Sequence, residues 1–142
     1  MSSPTATPAA GRSARRRSGA ARLAFFQGGF FVVSGLWPVF DLPSFMAVTG
    51  PKTDYWLVRT VGALLAVIGV TLLIASRRRD AVPSEIRFLG AFIPLALAVV
   101  DIVYVTVDVI APIYLADAAV ELVIAGLWWC VSRGHGGSAA AG

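Results

Sequence analysis

The sequence contains only one cysteine and one histidine among its 142 residues. A single Cys130 excludes an intrachain disulfide, a Cys-x-x-Cys redox pair and a cysteine zinc cage. His135 lies in a tail rich in Gly, Ala and Ser, with no second metal ligand beside it. We therefore predict neither a metal site nor another cofactor.

Charged residues are also few, at 14% of the chain, whereas 57% of the residues are hydrophobic and the mean hydropathy is +0.76. An ordinary soluble domain has about 25% charged residues. Apolar runs of about 20 residues, which match the thickness of a bilayer, recur along the chain. The sequence therefore predicts an integral membrane protein whose main partner is the lipid bilayer.

The net charge of +4 comes from arginines in short clusters beside the apolar segments, and this placement argues against a nucleic-acid partner. Ten of the twelve Lys and Arg residues precede the first apolar segment, separate the second from the third or follow the fourth: Arg12, Arg15, Arg16, Arg17, Arg22, Arg77, Arg78, Arg79, Arg87 and Arg133. By the positive-inside rule, we expect both termini and the middle loop to lie in the cytoplasm. The predicted location is the inner (plasma) membrane, which the chain crosses several times.

Four apolar segments predict an all-α fold, an antiparallel bundle of four transmembrane helices. The spans cover about residues 23–40, 55–75, 85–106 and 112–131, within a membrane domain of residues 22–132. Residues 1–21 have the composition of a disordered, basic cytoplasmic tail, and residues 133–142 that of a flexible tail. Residues 41–54 are predicted to be an external loop, and the sequence leaves open whether this loop covers the polar site described below.

Small residues in the first two spans predict close packing of helices, because they let backbones approach each other. They are Gly28, Gly29, Ser34 and Gly35 in the first span and Gly62, Ala66 and Gly69 in the second. The same residues offer an interface for a homodimer or for another membrane protein.

Aromatic residues fall toward the ends of the predicted spans. Those at the outer ends are Trp37, Tyr55, Trp56, Tyr104 and Tyr114, and those at the inner end of the fourth span are Trp128 and Trp129. Trp and Tyr are enriched at membrane surfaces, so this distribution predicts two interfacial belts.

The third and fourth spans carry acids and tyrosines in a symmetrical pattern around Val109. Asp101 and Asp117 each lie eight residues from Val109, and Tyr104 and Tyr114 each lie five residues from it. A short connection makes the two helices neighbours in a hairpin. The pairs should therefore face each other, roughly 8–12 Å below the turn at about 1.5 Å per residue.

Arg59 and Glu121 complete the predicted polar site. Arg59 lies about one turn into the second span, where a charged arginine costs roughly 2.5–3.5 kcal/mol, so we expect Asp101 or Asp117 as its partner. Glu121 lies one helical turn deeper than Asp117, with no cation at its depth.

The predicted site has six candidate residues, which form either a buried polar network or a ligand-binding site: Arg59, Asp101, Tyr104, Tyr114, Asp117 and Glu121. In the first interpretation, which the sequence favours, the protein is a structural or accessory membrane bundle held together by polar contacts. In the second it is a proton-linked carrier or binder of a small lipophilic or cationic molecule. A membrane enzyme with the paired acids as general acid and base is least favoured, because no nucleophile with its base, phosphate cradle or metal set is present. No catalytic residue and no enzymatic activity are therefore predicted.

Three segments carry a family resemblance: WPVFDLPSF, TGPKTDYWLVRTVGALLAVIGV and DAAVELVIAGLWW. Their features are an arginine followed by a glycine in the second helix, Arg59 and Gly62, and an acid in the fourth helix, Glu121. In these features the chain resembles small, uncharacterised bacterial integral membrane proteins with four helices, loosely of the DoxX-like type. The resemblance implies the four-helix fold and no specific activity.

Overall fold

The computed structural model describes residues 8–78 and 81–133. This part of the chain contains five α-helices and no strand: α1 (Pro8–Phe40), α2 (Leu42–Thr49), α3 (Tyr55–Ser76), α4 (Ser84–Thr106) and α5 (Tyr114–Arg133). The Gly19–Phe40 stretch of α1 and the whole of α3, α4 and α5 are long and apolar enough to cross a membrane. The prediction of an all-α chain with four membrane-compatible helices is therefore confirmed, and the fold is consistent with a multi-pass integral membrane protein.

The first helix is longer than the sequence predicts. Residues 1–21 have the composition of a disordered tail, yet α1 begins at Pro8 and continues to Phe40. Ala and Arg, which are strong helix formers, make up much of this stretch, and extending a helix costs far less than nucleating one. Residues 1–7 of the predicted N-terminal tail and residues 134–142 of the predicted C-terminal tail lie outside the described residues.

The predicted external loop contains a helix, α2, that the sequence interpretation missed. Asp41 caps it, because its Oδ1 accepts a hydrogen bond of 3.1 Å from the backbone N–H of Ser44. Pro43 lies in the first turn, and Gly50 ends the helix with a φ of 86°, a conformation that favours glycine. All three end signals are visible in the sequence, so α2 was predictable from local rules.

The α1 and α3 helices pack along each other through glycines. A Cβ atom on Gly28 would lie 2.7 Å from the carbonyl oxygen of Gly69, and a Cβ atom on Gly35 would overlap the carbonyl oxygen of Gly62. Contacts this close leave no room for a side chain. The predicted small-residue packing is therefore confirmed for these four glycines, whereas a Cβ on Gly29 would meet nothing within 4 Å.

The bundle consists of two helix pairs, α1 with α3 and α4 with α5, which meet over much shorter stretches than those within each pair. One meeting point is a buried apolar cluster that includes Ala20, Ala24, Val82 and Trp128. The other lies at the opposite end, where α2 is located, which we call the α2 end. Here Ala111, in the connection between α4 and α5, lies beside Gly50, so a Cβ on Gly50 would be 3.7 Å from that of Ala111.

Candidate functional site

A cavity of about 630 Å³ lies between α1, α3, α4 and α5 at the α2 end. We call it the acidic cavity, because three carboxyl side chains line it, Asp101 from α4 and Asp117 and Glu121 from α5. Most of the other lining side chains are apolar, and they come from all five helices. Pockets of roughly 300–1,000 Å³ with an apolar lining and a few convergent polar groups are typical binding sites for small molecules.

Glu121 is the most deeply buried of the three acids. Its residue is 1% exposed, and Asp101 is 9% exposed on the facing helix. Asp117 lies one turn from Glu121 on the same face of α5, so both side chains point toward the cavity. Among the described residues, Glu121 Oε2 has no hydrogen-bond partner. Such an oxygen is costly to bury unless a donor or a cation reaches it.

Lys52 lies at the α2 end of the acidic cavity, and the sequence interpretation did not include it in the site. Its Nζ donates a hydrogen bond of 2.9 Å to the carbonyl oxygen of Thr49 and lies 5.0 Å from the centre of the Tyr114 ring. This geometry is a cation–π contact. The sequence signal was weak, because Lys52 is separated from Tyr114 by two helices and only the fold brings them together.

A proline removes one backbone hydrogen bond from the part of α1 that lines the cavity. Pro38 lies inside α1 and has no N–H, so it cannot form the usual helical hydrogen bond to the carbonyl oxygen of Ser34. Both residues line the acidic cavity. The Ser34 hydroxyl donates its own hydrogen to the carbonyl oxygen of Phe30 at 2.7 Å. The carbonyl oxygen of Ser34 therefore lacks its usual helical donor.

Two of the six predicted site residues do not line the acidic cavity. The four that the structure brings together there are Asp101, Tyr114, Asp117 and Glu121. Arg59 is exposed on the surface of the bundle, and Tyr104 is 47% exposed near the end of α4. Neither belongs to the cavity lining.

The position of Arg59 follows from helix geometry. Val58 faces the acidic cavity, and the next residue in an α-helix is rotated by about 100°, which turns Arg59 away from the cavity. Arg59 lies one turn from the start of α3 at Tyr55, so its long side chain can reach the membrane surface. The structure therefore places Arg59 on the surface of the bundle, outside the cavity that Asp101 and Asp117 line.

We expect an Arg59→Ala variant to keep its stability within about 0.5 kcal/mol of the unchanged protein, as exposed side chains without specific contacts do. The measurement is equilibrium unfolding in mixed detergent micelles. A loss of several kcal/mol would instead reveal a buried ion pair with one of the acids.

A second polar cluster, formed by Gln27, Gly90 and Trp128, lies beyond the end of the cavity that is opposite α2, and it joins α1, α4 and α5. Gln27 Nε2 donates to the carbonyl oxygen of Gly90 at 3.0 Å, and Gln27 Oε1 accepts from Trp128 Nε1 at 2.6 Å. Pro94 explains why the Gly90 oxygen is available, because a proline four residues later cannot donate to it. Each polar group in this cluster therefore has a partner on another helix.

The second cluster corrects the sequence interpretation of Trp128. The interfacial belt predicted for the inner end of the fourth span includes this residue, yet it is 0% exposed. Only its neighbour Trp129 is exposed, with the Arg133 guanidinium 4.7 Å from the centre of its ring. Gly90 makes room for the buried indole, since a Cβ there would lie 2.5 Å from Trp128 Cε2. The sequence signal for this site was the spacing of Gly90 and Pro94, because a glycine leaves space beside the helix and a proline four residues later frees the glycine carbonyl oxygen.

Three carboxyl groups and one ammonium group line the acidic cavity, so the fully ionised set carries two excess negative charges. Charge of one sign is costly to bury in an apolar site unless protons or a bound cation neutralise it. Within residues 8–78 and 81–133, no group of three or more His, Cys, Asp or Glu side chains is placed to hold a metal ion. Protons or a bound cation would therefore lower the cost of burying the three acids.

The fold and the cavity define a class, a helical protein with four membrane-compatible helices around an acidic cavity. Comparison with protein-family models, curated proteins and solved structures finds no match. The resemblance to DoxX-like proteins therefore depends on the sequence pattern alone.

Proposed function

We propose that this is a non-catalytic membrane protein that binds a small, largely apolar cation in the acidic cavity. The observation that carries the proposal is Glu121 Oε2, which is buried without a hydrogen-bond partner among the described residues. It lines a cavity that also contains Asp101 and Asp117. A buried acceptor of this kind, beside two other carboxyl groups, is complementary to a positively charged ligand.

The apolar lining accounts for the rest of the ligand. Leu57, Val61 and Leu65 of α3 line the cavity opposite the acids, and Leu97 and Val100 of α4 extend this surface. Burial of apolar ligand surface contributes about 25 cal/mol per Å², so a hydrocarbon chain would add to the affinity that the charge supplies. A lipophilic cation combines both properties.

The alternative function, a structural or accessory bundle held together by a network of Arg59 and the acids, has less support. Arg59 lies outside the cavity, and the polar contacts that join the helices involve Gln27 rather than the acids. The bundle therefore has packing contacts that do not depend on the cavity acids. In the accessory role, replacing Glu121 would change stability or partner binding without changing the binding of any small cation.

Glu121→Gln tests the proposal, because glutamine keeps the size of glutamate and removes its charge. We expect the affinity for octylamine, which is protonated at pH 7, to fall at least tenfold, or about 1.4 kcal/mol. Binding is measured by isothermal titration of the protein in lipid nanodiscs, with protein-free nanodiscs as the blank for partitioning into lipid.

Glu85→Gln is the matched control. It makes the same substitution on an exposed residue in the first turn of α4, outside the cavity. We expect its affinity for octylamine to equal that of the unchanged protein. If octylamine bound equally well to both variants and the unchanged protein, or to none of them, the proposed function would be rejected.

A further inference from the structure

From the hydrogen-bonding groups of the acidic cavity we infer that its ligand is a primary alkylammonium ion, with the –NH₃⁺ group at Glu121 and the alkyl chain along the apolar lining. This inference rests on the proposed function and narrows the class of ligand. It depends on which groups of the lining are already hydrogen-bonded within the protein and which are still available.

The donors of the cavity lining are largely occupied. The Ser34 hydroxyl donates to the Phe30 carbonyl oxygen at 2.7 Å, and the Thr49 hydroxyl donates to the Phe45 carbonyl oxygen at 2.9 Å. The indole N–H of Trp37 donates to Ser44 Oγ at 2.7 Å. Each of these side chains has a single hydrogen to donate, so none is left for a ligand.

The donors that remain belong to Lys52 and the Tyr114 hydroxyl. Lys52 has used one of its three N–H groups on Thr49, and its Nζ lies over the Tyr114 ring. Tyr114 precedes Glu121 by seven residues, or about 10 Å along α5 at 1.5 Å per residue. The remaining lysine donors are therefore located toward the α2 end of the cavity rather than at Glu121.

The acceptors of the cavity lining are in contrast not all paired within the protein. Glu121 Oε2 has no partner among the described residues, and Asp117 lies one turn away on the same helix face. The carbonyl oxygen of Ser34 lacks its usual helical donor because residue 38 is proline. A ligand that fits this set must supply hydrogen-bond donors as well as positive charge.

A primary ammonium supplies three N–H donors with its charge, whereas a quaternary ammonium supplies charge alone. Failing to satisfy a buried acceptor is costly, and hydrogen bonds in which one partner is charged are stronger than neutral ones.

Lys52 also favours one orientation of the ligand. Its positive charge at the α2 end repels a second cation there, so the ammonium group should occupy the Glu121 end.

The test compares three eight-carbon probes by titration in nanodiscs: octylamine, octyltrimethylammonium and octanol. We expect octylamine to bind the unchanged protein at least tenfold more tightly than octyltrimethylammonium, and octanol to bind more weakly than octylamine. In Glu121→Gln the ratio of the affinities for octylamine and octyltrimethylammonium should fall toward one. In Glu85→Gln this ratio should equal that of the unchanged protein.

The outcomes separate the inference from the proposed function. Equal affinities for octylamine and octyltrimethylammonium, both above the affinity for octanol, would overturn the inference of a primary ammonium ligand. The proposed function, binding of a lipophilic cation, would still stand. If the protein bound octanol and both cations with equal affinity, or bound none of the three probes, both proposals would be overturned. Thermal unfolding of each variant without a probe is the control for the fold, and we expect Glu121→Gln to unfold cooperatively, as the unchanged protein does.

Discussion

Replacing Gly28 by alanine should destabilise the protein by about 1–3 kcal/mol, the usual cost of overpacking a close contact. The new Cβ would lie 2.7 Å from the carbonyl oxygen of Gly69 and 3.0 Å from the backbone nitrogen of Leu73. Both atoms belong to the α3 backbone, so relief requires the helices to move apart, which weakens the whole α1 and α3 interface. The measurement is equilibrium unfolding in mixed detergent micelles.

The adjacent residue provides the control. A Cβ on Gly29 would meet no atom within 4 Å, so Gly29→Ala should remove only the conformational freedom of a helical glycine. That change stabilises a helix by roughly 0.5–1 kcal/mol. The two neighbouring substitutions are therefore expected to have opposite signs. A similar loss in both variants would show that the glycine contact does not determine packing of these helices.

Gln27→Leu should cost about 2–6 kcal/mol. Leucine has nearly the volume of glutamine, but it can neither accept from Trp128 Nε1 nor donate to the carbonyl oxygen of Gly90. Two buried polar groups would then lose their partners, at about 1–3 kcal/mol each. Unfolding in detergent, followed by the fluorescence of the tryptophans, measures the loss.

Pro94→Ala distinguishes this explanation from a simple loss of packing. Alanine at position 94 has an N–H that can donate to the carbonyl oxygen of Gly90, which proline cannot do. The substitution should therefore recover part of the loss in the Gln27→Leu background, with a coupling of about 0.5–3 kcal/mol in a double-mutant cycle. Strictly additive effects would indicate that the Gly90 oxygen does not depend on Gln27 for its hydrogen bond.

The sequence was sufficient for those parts of the fold that local composition determines. Four apolar segments of bilayer length predicted the four long helices, and the glycines predicted close packing. The short helix α2 was missed although Asp41, Pro43 and Gly50 mark its two ends, because its apolar residues had been assigned to a loop. The residues that begin and end α2 are therefore sufficient to predict it from the sequence.

The candidate site was harder to predict, because a membrane helix is apolar on every side and its hydrophobic period does not show which face is interior. The hairpin argument placed Asp101 opposite Asp117, which both line the cavity, since it used only distance from the turn. It placed Tyr104 opposite Tyr114 in the same way, yet Tyr104 lies outside the cavity lining. It gave no rotational information for Arg59, which lies one residue beyond the cavity-facing Val58. Contacts such as that between Gln27 and Trp128, 101 residues apart, depend on the whole fold.

The division of the bundle into two helix pairs has a mechanical consequence. Each pair is closely packed along its length, whereas within the described residues the pairs meet only near their two ends. The polar contacts between the pairs involve Gln27 at one end and Lys52 at the other. Because the interface between the pairs is smaller than the interface within either pair, we expect a displacement of one pair against the other to cost less than separation of α1 from α3. Such a motion would change the width of the acidic cavity while leaving both glycine-packed helices and the buried indole in place.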